Sequence, residues 1–273
     1  MISPYLKARI TRDLTNFSLV RQPSCEGHIV SLHQSGTHWL RHMLSVLIAR
    51  LYGLPEPAHI QDNNFVLPPK QASKYTEIPR IVSSHSIVSP LLTNRLALSV
   101  LHLPKYVLLV RDPRMILVSH YQREKSRYKM SFAEYLRADL NALHKAGRRK
   151  FDKDIWWDIR FQNSWGKMLT LLPRQIHLVR YEDMRRNTSG HLQQIASFLG
   201  LLEASGEDLS YAIARSSKEA MSQKEAPNAK YTVVRKDDAR PLAIYSEEDK
   251  RFFLETYRKY CKADFGYDLE AGW

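Results

Sequence analysis

Four short runs of apolar, largely β-branched residues punctuate the chain, and longer stretches with helical spacing separate them. The runs are His28 to His33 (HIVSLH), Arg80 to Ser84 (RIVSS), Tyr106 to Val110 (YVLLV) and Ile176 to Tyr181 (IHLVRY). A short run of this kind, without polar alternation, reads as a strand covered on both faces. Between the runs, Thr37 to Tyr52 places apolar residues at helical intervals, and Gly53 followed by Pro55 ends that helix. Residues Pro90–Leu101, 114–146, 152–171 and Gly190–Leu199 read as further helices. Ser246 caps a last one from Glu247 to about Lys262, with acids in its first turn. Strands alternating with helices predict an α/β fold, a central parallel sheet flanked by helices on both faces. Ligands of such sheets bind at the carboxyl ends of the strands.

The chain has 273 residues, 44% of them hydrophobic, which suits one large domain over residues 1–273. Its core is expected at about 28–262, after an irregular lead-in at 1–27. Prolines mark 54–79 as a long loop, and 223–245 reads as a polar surface loop. Two distant cysteines, Cys25 and Cys261, make neither a disulfide framework nor a metal signature. The N-terminus lacks the apolar core and small residues of a signal peptide. The longest apolar stretch, Leu96 to Val110, is interrupted by His102, Pro104 and Lys105 and is too broken to span a bilayer. These features point to a cytoplasmic chain. Lys plus Arg is 41 and Asp plus Glu 28, a net charge of +13. That excess favours anionic partners such as nucleotides, nucleic acid, acidic glycans or anionic lipid, although a generally basic surface has the same composition.

Each chemistry-bearing segment follows a strand. His33–Gln34–Ser35–Gly36–Thr37–His38–Trp39 joins the first strand to the first helix. Gly36 permits a tight turn, and the amides of such a turn and helix start can hold a phosphate. The nucleotide-binding string GxxxxGK[ST] is absent, and an ordinary βα turn with a Thr cap would read the same way. Trp39 can offer a flat face to a purine or simply pack in the core. After the third strand, Arg111 can grip a phosphate through two parallel hydrogen bonds or pair with the adjacent Asp112. Ser119, eight residues on, returns to the same anion only if the intervening loop bends suitably.

Together these segments resemble the sulfotransferases that use 3′-phosphoadenosine 5′-phosphosulfate (PAPS). The family string YPKSGTTW stands here as LHQSGTHW, Leu32 to Trp39. RxPxxxxxSxY is complete as RDPRMILVSHY, Arg111 to Tyr121. Tyr181–Glu182–Asp183, Pro79 to His85 and Arg235–Lys236 resemble shorter family segments, and the order holds from about residue 28 to 262.

The resemblance implies a P-loop-NTPase-like domain that transfers a sulfuryl group in line, without a metal, to a small-molecule or glycan acceptor. With Gln34 in the same loop, it implies that Ser35, Gly36, Thr37 and His38 bind the 5′-phosphosulfate. It implies that Trp39 and Tyr181 contact adenine, and that Arg111 and Ser119 bind the 3′-phosphate with Arg235 and Lys236. His85 becomes the general base, a task that suits imidazole near neutral pH.

Four departures accompany the resemblance. Gln34 and Ser83 stand where the family has lysines, Asp237 where it has a glycine, and Lys218 where it has a phenylalanine. The two absent lysines imply another cation near the departing phosphate, with His38 first and His33 or Arg41 as alternatives, or a chain that binds nucleotide with slow or no turnover. A phosphotransferase on the same fold and a non-catalytic binder of nucleotide or nucleic acid are the other readings. The expected partners are an acceptor and no nucleic acid, with no membrane span. A homodimer is compatible with the sequence.

Overall fold

The computed structural model describes residues 2–20, 24–140, 153–227 and 240–273. Among the described residues, five parallel strands form one sheet in the order β2-β3-β1-β4-β5. They are β1 (Gly27–Ser31), β2 (Val66–Leu67), β3 (Ile81–Ser84), β4 (Lys105–Val110) and β5 (Ile176–Arg180). All five residues of β1 are buried, as a strand lying between two neighbours and covered on both faces must be. Alternation sends Ile29, Val107 and Leu109 to one face, where they pack with Leu40, Met43, Leu44 and Leu47 of the helix Thr37–Leu51. Val30, Leu108 and Val110 go to the other face, against Phe161 and Trp165 of the helix Ile155–Leu171. The result is a single α/β domain, as the alternating pattern predicts.

The differences from the sequence expectations have local causes. β2 lies inside the expected loop 54–79. It pairs Val66 with Ile81 and Leu67 with Val82, and a two-residue strand carries no periodic signal. The stretch Pro90–Leu101 is broken: a 3₁₀ turn (Pro90–Leu92) is followed by a short helix (Arg95–Ser99), because the Asn94 side chain caps the Ala97 amide at 2.8 Å. The long helix expected over 114–146 ends at Tyr128, where Lys129 turns left-handed at φ 52°. A new helix, Phe132–Arg137, starts behind the reciprocal Ser131–Glu134 cap. Two further helices, Gly206–Arg215 and Lys218–Gln223, fill a stretch that had no assignment, and a 3₁₀ turn at Pro241–Ile244 interrupts the expected surface loop.

The lead-in is not wholly irregular. Pro4–Ala8 is an α-helix that continues as a π-helix over Arg9–Asp13. Asp13 is held at 2.5 Å by the buried guanidinium of Arg160, which ties this segment to the core. The last helix, Glu247–Tyr260, is capped by Ser246 as expected, with Asp249 completing the box. No helix among the described residues is long and apolar enough to cross a membrane.

Candidate active site at the carboxyl end of the sheet

β1 stops at Ser31 because the chain must turn into the helix Thr37–Leu51 within a few residues. Two positions absorb the turn. Gln34 has φ 68° and Gly36 φ 85°, both in the left-handed region. A non-glycine residue held there stores strain, and such strain gathers at functional turns. Gly36 is required twice over: a Cβ at this position would lie 2.5 Å from ring carbons of Tyr181. Tyr181 opens the short helix Tyr181–Arg186 directly after β5, so the turn after β1 and the end of β5 meet.

Arg111 closes the turn from beside it. Its Nη1 donates to the Gln34 carbonyl at 2.7 Å, and its guanidinium lies 4.7 Å from the Tyr181 ring centroid. Ser119 donates to Gln34 Oε1 at 3.3 Å from the helix Pro113–Tyr128. The helix begins at once after Arg111, so no bent loop is needed to bring Ser119 back. The alternative of an Arg111–Asp112 pair does not occur. Asp112 is occupied by Arg114 at 2.7 Å and caps the Arg114 amide. Among the described residues, Ser35 Oγ and Arg111 Nε are buried without a hydrogen-bond partner. Buried donors are rarely left so, and each of the two could donate to an anionic group of a ligand.

Trp39 keeps both of its roles open. Its Nε1 donates to the Ser216 carbonyl at 3.1 Å, and it packs on the core while half-exposed, edge-on to Tyr181 at 5.9 Å. Arg235 and Lys236 lie outside the described residues.

His85 follows β3 and reaches the same place. Its Nδ1 is 2.8 Å from the Ser31 carbonyl. A carbonyl only accepts, so Nδ1 carries the proton and Nε2 keeps its lone pair. Ser31 Oγ in turn bonds Thr37 Oγ1 at 2.6 Å, so one serine links the imidazole to the anion turn. The His33 ring packs on His85, tilted by 30° with centroids 3.6 Å apart, a contact between two loops that their separation in the chain does not announce.

Burial, with Lys153, His38 and Arg41 nearby, pushes His85 down to about 4. Burial, with Arg41 and Arg123, also pushes His38 to about 4. At neutral pH His38 is therefore uncharged in the unliganded chain, and permanent positive charge comes from Arg111 beside the turn and from Arg41 and Arg123 near His38. Lys153, buried near His33 and His85, had no sequence signal of its own.

These groups make stability depend on pH. His28, His33, His38, His42, His85 and His177 are all shifted below 6.5, mainly by burial. As pH falls from 6.5 towards 4 the unfolded chain takes up protons that the folded chain refuses, so these residues lose their stabilising contribution. Burial raises Asp13, Asp154 (to about 6) and Asp158 (to about 7), which act in the opposite direction over the same range. Six histidines against three aspartates give a net loss. The urea midpoint should fall steadily between pH 6.5 and 4, and a flat or rising midpoint would contradict this balance.

A family model described as a sulfotransferase domain matches residues 28–255. Solved structures agree on the fold. A mouse sulfotransferase complexed with PAP is 17% identical, with 93% of this chain and 91% of that one covered and a TM-score of 0.59. Retinol dehydratase in a complex with retinol and PAP is 16% identical, covering 97% and 88%, with a TM-score of 0.60. A putative steroid sulphotransferase from Arabidopsis thaliana is 18% identical, covering 93% and 83%, with a TM-score of 0.50. A search among curated proteins by sequence finds no match. The family match runs from the second residue of β1 through every other strand and into the last helix, and on that span the chain belongs to the sulfotransferase family.

Proposed function

We propose that the chain transfers a sulfuryl group from PAPS to a hydroxyl or amine of a small molecule or glycan. The observation that carries this reading is the pair of orphaned buried donors, Ser35 Oγ and Arg111 Nε, in a turn where Gly36, Ser119 and Tyr181 converge. Two solved relatives of the same fold hold PAP. PAPS supplies the sulfuryl group. The turn from Gln34 to His38 binds the 5′ end, Trp39 and Tyr181 flank the adenine, and Arg111 and Ser119 hold the 3′-phosphate, with Arg235 and Lys236 assigned to the same phosphate. Catalysis then rests on position and charge. His85 Nε2 accepts the acceptor's proton, and the bond from Nδ1 to Ser31 holds the tautomer that makes this lone pair available. Gln34 donates from its amide where the family has a lysine, while Arg41 and Arg123 provide fixed charge. A cytoplasmic setting fits the two free cysteines.

A titration separates this from a general anion binder. At fixed salt, adenosine 3′,5′-bisphosphate should bind at least about tenfold more tightly than AMP, because one extra charge-assisted phosphate contact contributes about 1.5–3 kcal/mol. Equal affinities, falling steeply with salt, would favour the nucleic-acid reading. Tight bisphosphate binding with no labelled sulfuryl transferred to any of a broad acceptor panel would mean the nucleotide site is kept without the chemistry.

A further inference from the structure

We propose that His33 is a positioning residue for His85, fixing the plane of its ring by stacking while the Ser31 carbonyl fixes one of its atoms. This rests on reading His85 as the base. Hydrogen bonds at Nδ1 alone, to the Ser31 carbonyl at 2.8 Å and hydroxyl at 3.4 Å, leave the imidazole able to swing about that atom, which would carry Nε2 away from any fixed substrate. A close ring-to-ring contact limits the swing. The His33 ring supplies one, tilted by 30°, at 3.6 Å between centroids. Ser31 and His33 are two residues apart on one chain segment, at the end of the fully buried central strand. Both grips on His85 therefore come from one short stretch of chain, Ser31 from the end of the strand and His33 from the turn after it.

The charge state suits the role. When His85 takes a proton, a protonated neighbour would repel it. His33 is held well below 6.5 by burial first, then by His85, Lys153, His120 and Arg123. It stays neutral and so adds no repulsion to the imidazolium that His85 becomes. His85 itself is faced by Lys153, His38 and Arg41.

The test uses nitrogen NMR of histidine-labelled full-length chain, with His85 assigned through the loss of its signals in His85→Ala. Wild type should show His85 as one tautomer, protonated at Nδ1. His33→Ala should lose that signature to a mixture of tautomers, and His33→Phe, which keeps a flat face, should restore it. On any acceptor that turns over, His33→Ala should lower kcat by up to about 10²-fold at unchanged KM for PAPS, as a misplaced catalytic group does, and His33→Phe should recover most of the loss. An unaltered His85 tautomer in a folded His33→Ala chain would overturn the proposal, and so would a Phe variant no better than Ala. Affinity for adenosine 3′,5′-bisphosphate is measured on the same samples. Its absence in wild type would sink the functional reading, while the tautomer result still decides the role of His33.

Discussion

His85→Ala should slow sulfuryl transfer by about 10²–10⁴-fold, the range for losing a positioned general base, with the affinity for adenosine 3′,5′-bisphosphate nearly unchanged. The structure sharpens why the two effects separate. His85 stands at the end of β3, and its hydrogen bonds run to Ser31 rather than to the turn residues that would hold the nucleotide. Its removal leaves the Arg111–Gln34 and Ser119–Gln34 bonds in place. The base must be neutral to act, so wild-type activity should fall on the acid side as His85 takes up its proton. In the unliganded chain that lies near 4. A bound phosphosulfate favours the charged form, so the acid limb in the complex should lie higher. Single-turnover rates and equilibrium titration on the same variant check this. Unchanged turnover would remove His85 from the mechanism.

Arg111→Ala should weaken adenosine 3′,5′-bisphosphate by about 10- to 10²-fold, from about 1.5–3 kcal/mol for each charge-assisted bond lost. AMP should lose much less, because it has no 3′-phosphate. There is a competing physical role. Arg111 Nη1 also braces the Gln34 carbonyl, where the backbone is in the left-handed region. If bracing dominates, the turn relaxes and both ligands weaken equally. Calorimetric titration of the two nucleotides distinguishes a phosphate clamp from a strut.

Much of the sheet was legible because a buried parallel strand has to be a short apolar run, and each of the four marked runs matches a strand to within two residues at either end. The elements that were missed depend on partners. β2 has two residues and exists only because β3 offers it a ladder. The break in the helix expected over 114–146 required knowing that Lys129 would turn left-handed before a Ser131 cap. The lead-in became helical against Arg160, a residue more than a hundred positions away.

At the site, the residue types at Gly36, Arg111, Ser119 and His85 were readable because turn geometry, anion binding and proton removal each demand particular chemistry. That Gly36 must be bare because Tyr181 lies against it was not readable, nor was the occupation of Asp112 by Arg114. The charge of His38 was not readable either. The sequence made it the leading stand-in for the missing lysines, and in the unliganded chain desolvation beside Arg41 and Arg123 holds it down to about 4. The amino-acid sequence by itself determined the layered α/β architecture and which strand ends would carry chemistry, since both follow from local periodicity and residue type. Only the tertiary structure decided which of those ends share a partner, which imidazoles are charged and that His33 lies on His85. Contacts between distant segments and the loss of water around them are properties of the packed chain, and neither leaves a mark at a single position.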